Sequence, residues 1–390
     1  MNIEIAVLLQ AAAALIAAMA ISLAMCPLVK SFAYKVGAID VPKDNRRMHK
    51  VPIPRLGGLA IFLGFIVSIL LFAEVDRQMQ GILLGAVIIV VLGVVDDIVA
   101  LRASLKFIVQ ILAALVPVFH GVVVQVLSNP IAFAEQAYWD LGVFAIPLTV
   151  IWIVGVTNSV NLIDGLDGLA NGVSIICALT MLIISLLVSE TAVAIIMAAL
   201  VGACIGFMPY NANPAKMFMG DTGATFLGYI LATMSIQGLF KTYTIISFLV
   251  PFLILGLPIF DTASAMLRRI ARGQSPMHAD RSHVHHRLID MGLNQKQAVA
   301  ILYVISSILG LSAVVLTTSG AVKALLTLLA LGAVGLIAAR VVFPKEMGGN
   351  RSAEAADKQP AEEENPADIP SPEAAQSKTR HQQKTGKDKV

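Results

Sequence analysis

Long apolar runs separated by short polar clusters set the pattern of this chain. Eleven runs approach the roughly 17–25 residues with which a helix crosses a bilayer: 3–29, 57–73, 81–95, 105–127, 141–157, 168–189, 191–209, 223–239, 243–266, 297–317 and 320–343. The run at 81–95 is short, and 191–209 follows its predecessor almost without a gap. The pattern predicts an all-α integral membrane protein, a polytopic helix bundle of about eleven transmembrane helices. No Lys or Arg precedes the first run and Lys30 follows it, the reverse of a cleavable signal, so this run too is expected to span. From about Gly348 the large apolar residues vanish and Glu, Ala, Pro, Gln and Lys take over. The expected organisation is a transmembrane domain over 1–347 and a disordered tail over 348–390.

Composition agrees: 57% hydrophobic and 14% charged residues exclude an ordinary soluble domain. All three cysteines (Cys26, Cys177, Cys204) lie inside apolar runs, which argues against a disulfide framework or a thiolate metal site. Charge adds orientation. Sixteen Lys and Arg fall in or at the edge of the loops after the first, third, fifth, seventh and ninth runs, against only Arg77, Lys241 and Lys323 for the opposite loops. The richer loops and the tail are therefore expected in the cytoplasm, and the N-terminus outside.

The chemistry-bearing residues fall in those same loops. Asp96 and Asp97 close the third run, and Lys106 opens the fourth. Adjacent acids at a helix end are often only solvated. At a membrane interface their repulsion is relieved by a divalent cation, or by service as a proton acceptor. Asn158, Asn161 and Asp164 are spaced three apart, which predicts one helix face, and Gly165, Asp167 and Gly168 follow. A helix cap explains one amide or acid there, not four.

Asn211, Asn213, Lys216 and Asp221 occupy the next such loop. Gly220-Asp221-Thr222-Gly223 suits a helix cap. It equally suits a phosphate site at a helix start, with a metal on Asp221. The loop after the ninth run carries His278, Asp280, Arg281, His283, His285, His286 and Arg287. Without nearby cysteines or a His-Glu-x-x-His pattern, zinc is disfavoured. The group suits phosphate oxygens, or is merely a solvated basic loop.

Carboxylates for a hard cation and basic groups for phosphates, gathered at a cytoplasmic face, imply a membrane-embedded, Mg2+-dependent transferase of a phosphorylated group. A transporter would instead line a path with ionisable residues in mid-span, and no internal repeat supports one. A scaffold would tolerate the loss of Asp221.

Four segments, in order, resemble the polyprenyl-phosphate N-acetylhexosamine-1-phosphate transferases: Asp-Asp-x-x-x-Leu-x-x-x-x-Lys (96–106), Asn-x-x-Asn-x-x-Asp-Gly-Leu-Asp-Gly-Leu (158–169), Pro-Ala-Lys-x-Phe-Met-Gly-Asp-Thr-Gly (214–223) and His-Ala-Asp-Arg-x-His-x-His-His-Arg (278–287). The resemblance covers roughly 1–343. It implies Mg2+, with Mn2+ as a substitute, held by Asp221 with Asp96 or Asp97 nearby. Asp96 and Asp97 would be catalytic, Asp96 being the better candidate to deprotonate the lipid phosphate, which Lys106 would bind. The nucleotide would lie against Asn161, Asp164, Gly165, Leu166, Asp167, Asn211 and Phe218, with Phe218 stacked on the base. His283, His285, His286 and Arg287 would surround the pyrophosphate and sugar. Arg46, Arg47, His49 and Arg55 are weaker candidates.

The form His-Val-His-His-Arg and the eleventh run resemble the branch that loads GlcNAc-1-phosphate for teichoic acid or related surface polymers. The reaction implied is UDP-GlcNAc plus undecaprenyl phosphate giving undecaprenyl-pyrophosphoryl-GlcNAc and UMP. The muramoyl-pentapeptide enzymes of peptidoglycan synthesis are the alternative. The partners implied are a UDP-sugar, undecaprenyl phosphate and membrane lipid, with no nucleic acid; a homodimer is compatible with the spans.

Overall fold

The computed structural model describes residues 5–41, 51–128, 138–238, 249–271, 273 and 283–319, with isolated positions between 322 and 333. Arg46, Arg47, His49, His278, Asp280, Arg281, most of the run at 320–343 and the tail at 348–390 lie outside the described residues.

Among the described residues the helices are α1 (Ile5–Val36), α2 (Gly57–Phe72), α3 (Arg77–Val99), α4 (Ala103–Phe119), α5 (Ala145–Leu162), α6 (Leu169–Leu187), α7 (Thr191–Asn211), α8 (Gly220–Gly238), α9 (Leu249–Ile254), α10 (Gly256–Ala271), α11 (Val284–Asp290) and α12 (Gln295–Ser319). Two small antiparallel hairpins are additions to the expected all-α pattern. One pairs β1 (Ile39–Asp40) with β2 (Ile53–Pro54), and the other pairs β3 (Val126–Ser128) with β4 (Tyr138–Asp140).

Among the described residues six helices are long and apolar enough to cross a membrane: those at Ile5–Val36, Arg77–Val99, Gly142–Leu162, Leu169–Leu187, Thr191–Asn211 and Gln295–Thr318. Gly57–Phe72 and Ala103–Phe119 are apolar but shorter. Several ends differ from the apolar runs because polar residues continue a helix. The short run at 81–95 sits inside the 23-residue α3. That helix starts where Asp76 accepts the Met79 N–H at 2.7 Å, and it still contains Asp96 and Asp97. Similarly α5 runs on to Leu162, so Asn158 and Asn161 are helical.

The run at 243–266 is divided between α9 and α10. Pro258 has no N–H to give to Ile254, four residues earlier. The thiol of Cys177 on α6 donates to that carbonyl instead, at 3.1 Å.

α8 is the central helix, buried at every position from Thr222 to Gly238. Several of its hydroxyls are satisfied within the helix: Thr225 Oγ1 donates to Asp221 O at 2.6 Å and Thr233 Oγ1 to Tyr229 O at 2.9 Å. The helix start is approached closely by two backbones. A Cβ on Gly58 of α2 would lie 2.0 Å from Gly223 N, and one on Gly93 of α3 would lie 2.4 Å from Thr222 Cα. Any side chain there would push α2 or α3 away, so these glycines let α3 bring its two aspartates onto the first turn of α8.

Candidate active site

The C-terminal turn of α3, the N-terminal turn of α4, the last turn of α5 and the start of α8 meet at one end of the bundle. Lys106 sits between two carboxylates from different helices. Its Nζ lies 3.0 Å from Asp96 Oδ2 and 2.9 Å from Asp221 Oδ2. Asp96 also accepts the Leu101 N–H at 2.8 Å, which ties it to the turn leaving α3. Asp96 and the Asn161 amide of α5 lie beside Asp221 in the same cluster.

Asp97, next in sequence, has a different task. It accepts the Arg55 Nε–H at 3.1 Å, the Asp221 N–H at 3.1 Å, the Thr222 N–H at 3.0 Å and the Thr222 hydroxyl at 2.7 Å. This carboxylate from α3 therefore caps α8 in trans, and the anion expected at that helix start is an internal one. Four donors thus converge on this one carboxylate.

Asp164 lies just beyond α5, half-buried. Burial first, then the charges of Asp221 and Asp97, push its carboxyl up to about 8. Asn158, expected on the same face, turns away: its Nδ2 donates to Gln110 Oε1 of α4 at 2.7 Å and to Val154 O at 2.8 Å.

Asp167 braces the loop after α7, accepting Asn213 Nδ2 at 2.9 Å and the Ala215 N–H at 3.0 Å. Leu166 is buried in the apolar core. Asn211 is also buried and donates to Met217 O at 3.3 Å, while its Oδ1 has no partner. Phe218 is held through its backbone, its N–H donating to Pro54 O at 2.8 Å and its carbonyl accepting from Gly57 N at 2.9 Å.

The histidine segment packs against this loop at Gly165, where an added Cβ would lie 2.3 Å from His285 Nε2. His285 is 2% exposed, and burial, then His286, pushes it down to about 4. It is neutral near pH 7. His286 is half-buried and Arg287 exposed. Sequence reading missed Asp261 of α10, which holds His283 Nδ1 at 3.0 Å. The available signal was a carboxylate inside the apolar run at 243–266.

A hard divalent cation fits this donor set. Two carboxylates already share one ammonium ion at 2.9–3.0 Å, and Mg2+ commonly takes one or two carboxylates with the remaining ligands from phosphate and water. Among the described residues no three His, Cys, Asp or Glu form a ready-made cage, in keeping with a cation completed by substrate.

Residues 79–239 match the family model described as glycosyl transferase family 4. Over 298 residues, 76% of this chain and 82% of the relative, the sequence is 43% identical to a probable undecaprenyl-phosphate N-acetylglucosaminyl 1-phosphate transferase of Bacillus subtilis (strain 168). The chain belongs to glycosyl transferase family 4.

Among other family 4 relatives, a decaprenyl-phosphate N-acetylglucosaminephosphotransferase of Mycolicibacterium smegmatis is 34% identical over 303 residues, 70% of this chain and 74% of that one. A phospho-N-acetylmuramoyl-pentapeptide-transferase of Clostridium beijerinckii is 29% identical over 312 residues, 73% and 94% of the two chains. The resemblance expected from the four motifs is thus confirmed at the level of the family, and the chain is a transferase-type membrane enzyme. The segment matching the family 4 model contains Asp96, Asp97, Lys106, Asn161, Asp164, Asp167 and Asp221; Asp261 and the histidines lie beyond it.

Proposed function

We propose that this enzyme transfers GlcNAc-1-phosphate from UDP-GlcNAc to undecaprenyl phosphate at the cytoplasmic face of the cell membrane. The products are undecaprenyl-pyrophosphoryl-GlcNAc and UMP. The observation that carries this reading is the Asp96–Lys106–Asp221 cluster at the bundle end. The relatives' names supply the donor and acceptor classes.

An apolar groove lies between α5 and α10. It has a volume of about 440 Å³ and is walled by Leu148, Ile151, Trp152, Gly155, Phe252 and Ile259. Trp152 is fixed there by an edge contact with Phe252, 4.8 Å between centroids, and by donating Nε1–H to Ser235 Oγ at 2.9 Å. The groove reaches Ser159, whose helix then presents Asn161 to Asp221. From Leu148 to Ser159 the helix advances about 17 Å, room for several isoprene units. An apolar cleft of this length suits a polyprenyl chain.

In the proposed reaction an oxygen of the lipid phosphate attacks the phosphorus that bears GlcNAc. The bond from that phosphorus to the bridging oxygen breaks, and the oxygen leaves with UMP. Asp96 takes the proton of the lipid phosphate where one is present, and Lys106 binds the phosphate oxygens. Asn161 and Asp164 orient the donor beside Asp221. Mg2+, held by Asp221 with Asp96, would neutralise charge on the phosphoryl oxygens. Direct attack is preferred because the buried acids are engaged with cations, amides and a proton.

The deciding test is UMP release by purified protein with undecaprenyl phosphate and Mg2+, offering UDP-GlcNAc or UDP-N-acetylmuramoyl-pentapeptide, with EDTA controls. Release with UDP-GlcNAc alone is expected. Release only with the pentapeptide moves the chain to the peptidoglycan branch, and release with neither rejects both.

Two further outcomes are expected. A Cβ at Gly155 meets nothing within 4 Å, so Gly155→Trp should fill the groove without disturbing the fold. The KM for undecaprenyl phosphate should rise about tenfold or more while that for UDP-GlcNAc stays within about twofold; an unchanged lipid KM removes the groove from the acceptor site. Asp164, pushed up to about 8, holds its proton at neutral pH, and a bound cation must expel it. The half-saturating Mg2+ concentration should therefore fall with rising pH, by up to about tenfold per unit, and level off above about pH 8. In Asp164→Asn that slope should be gone. A wild-type requirement that is flat from pH 6.5 to 8.5 contradicts the assignment.

A further inference from the structure

α10 carries two kinds of chemistry. Ile259, Thr262, Ala263 and Met266 line the apolar groove. Asp261, set between them, is 2% exposed, and both its oxygens serve the segment that opens α11. Oδ2 lies 3.0 Å from His283 Nδ1, and Oδ1 accepts the Val284 N–H at 2.8 Å. His283 is itself 5% exposed, and its ring stacks on that of His285 with centroids 5.8 Å apart and planes 11° from parallel. Among the described residues no other hydrogen bond of its ring is seen, and with the proton on Nδ1 the Nε2 lone pair remains an acceptor.

A carboxylate facing one ring nitrogen of a histidine decides where the proton resides and how the ring is turned. With Asp261 charged, Nδ1 must carry the proton, because two acceptors cannot face each other at 3.0 Å. Because the His283 ring stacks on that of His285, which packs beside Gly165, the pair adjoins the loop that holds Asp164 and Asp167.

We infer that Asp261 is a positioning residue for the transfer reaction: it keeps the His283 proton on Nδ1 and so presents Nε2 as an acceptor for a hydroxyl or amide N–H of the sugar nucleotide. The inference rests on the transferase reading above and adds to it a residue that acts only through His283. Asp261 also joins the helix that walls the acceptor groove to the segment that meets the donor, although it touches neither substrate.

The test is a double-mutant cycle on the full chain in lipid nanodiscs, with kcat/KM for UDP-GlcNAc read from UMP release at saturating undecaprenyl phosphate. Asp261→Asn keeps one acceptor oxygen where two are needed. It should lower kcat/KM for UDP-GlcNAc about tenfold or more and leave the lipid KM within about twofold. In a His283→Gln background, Asp261→Asn should cost less than about a further twofold. Full additivity, or a loss that falls on the lipid KM, overturns the proposal.

A second measurement uses the wild type and does not require Asp261→Asn to fold. In 15N-histidine NMR, the ring resonances lost in His283→Gln should be those of an imidazole protonated at Nδ1; a ring protonated only at Nε2 overturns the proposal. Wild-type protein that releases no UMP from any UDP-N-acetylhexosamine would reject the transferase reading and the proposal with it. That outcome is recognised from the wild type alone, before any variant is compared.

Discussion

Asp221→Asn should leave a folded protein that barely turns over. The substitution keeps the size and one acceptor of the side chain, so Lys106 and Asn161 still find a partner. Asp96 remains at 3.0 Å to share the Lys106 charge. What disappears is one of two carboxylates able to hold a divalent cation against phosphate oxygens. Electrostatic stabilisation of that kind is worth about a hundredfold to a thousandfold in turnover when one element is removed. UMP release should fall by at least that much at any Mg2+ concentration, while the thermal unfolding midpoint in detergent stays near wild type. Near-normal release would remove Asp221 from the reaction. Asp96→Asn should behave similarly in turnover.

Asp97→Ala should fail in the opposite way, through the fold. Asp97 is 5% exposed and accepts four hydrogen bonds, two from backbone amides at the start of the central helix. Removing it leaves the Asp221 and Thr222 amides and the Thr222 hydroxyl without their acceptor, and strips Arg55 of its counter-charge. Each buried donor left without its acceptor costs about 1–3 kcal/mol. Asp97→Asn offers little relief, since one of its two acceptors becomes a donor facing donors. Both variants should show a large drop in unfolding midpoint, together with loss of UMP release. Arg55→Ala, whose side chain is 35% exposed, should cost less. An Asp97→Ala protein with a wild-type midpoint would show that the cap is not needed to hold α8.

These two aspartates show how far one sequence can be read. They are neighbours at the end of an apolar run, and both look like candidates for catalysis. A helix turns about 100° per residue, so adjacent side chains face different elements. Asp96 meets Lys106 and Asp221, whereas Asp97 meets the amide ends of α8. The trio Asn158, Asn161 and Asp164 diverges for a related reason. Steps of three drift by about 60° each on a helix, so over two steps the faces separate by about 120°. Asn158 consequently reaches Gln110 on α4, and Asp164 falls beyond the helix end at Leu162. The histidine group divides by burial: His285 is sealed against Gly165 and neutral, while Arg287 stays exposed.

The amino-acid sequence alone determined the membrane-helix class, the gathering of acids, amides and histidines between particular apolar runs, and the family. These are local or order-dependent properties, and hydropathy and motif spacing carry them without reference to distant contacts. Only the tertiary structure decided that Asp97 caps α8 while Asp96 faces Lys106, that the chain breaks between α9 and α10 near Pro258, and that Asp261 pairs with His283. Each of those depends on a hydrogen-bond or packing partner far away in sequence: Thr222 for Asp97, Cys177 for Ile254, His283 for Asp261. Linear spacing does not encode which distant donor completes a buried acceptor, because that is set by how close two helices approach, here across Gly58 and Gly93 at the start of α8.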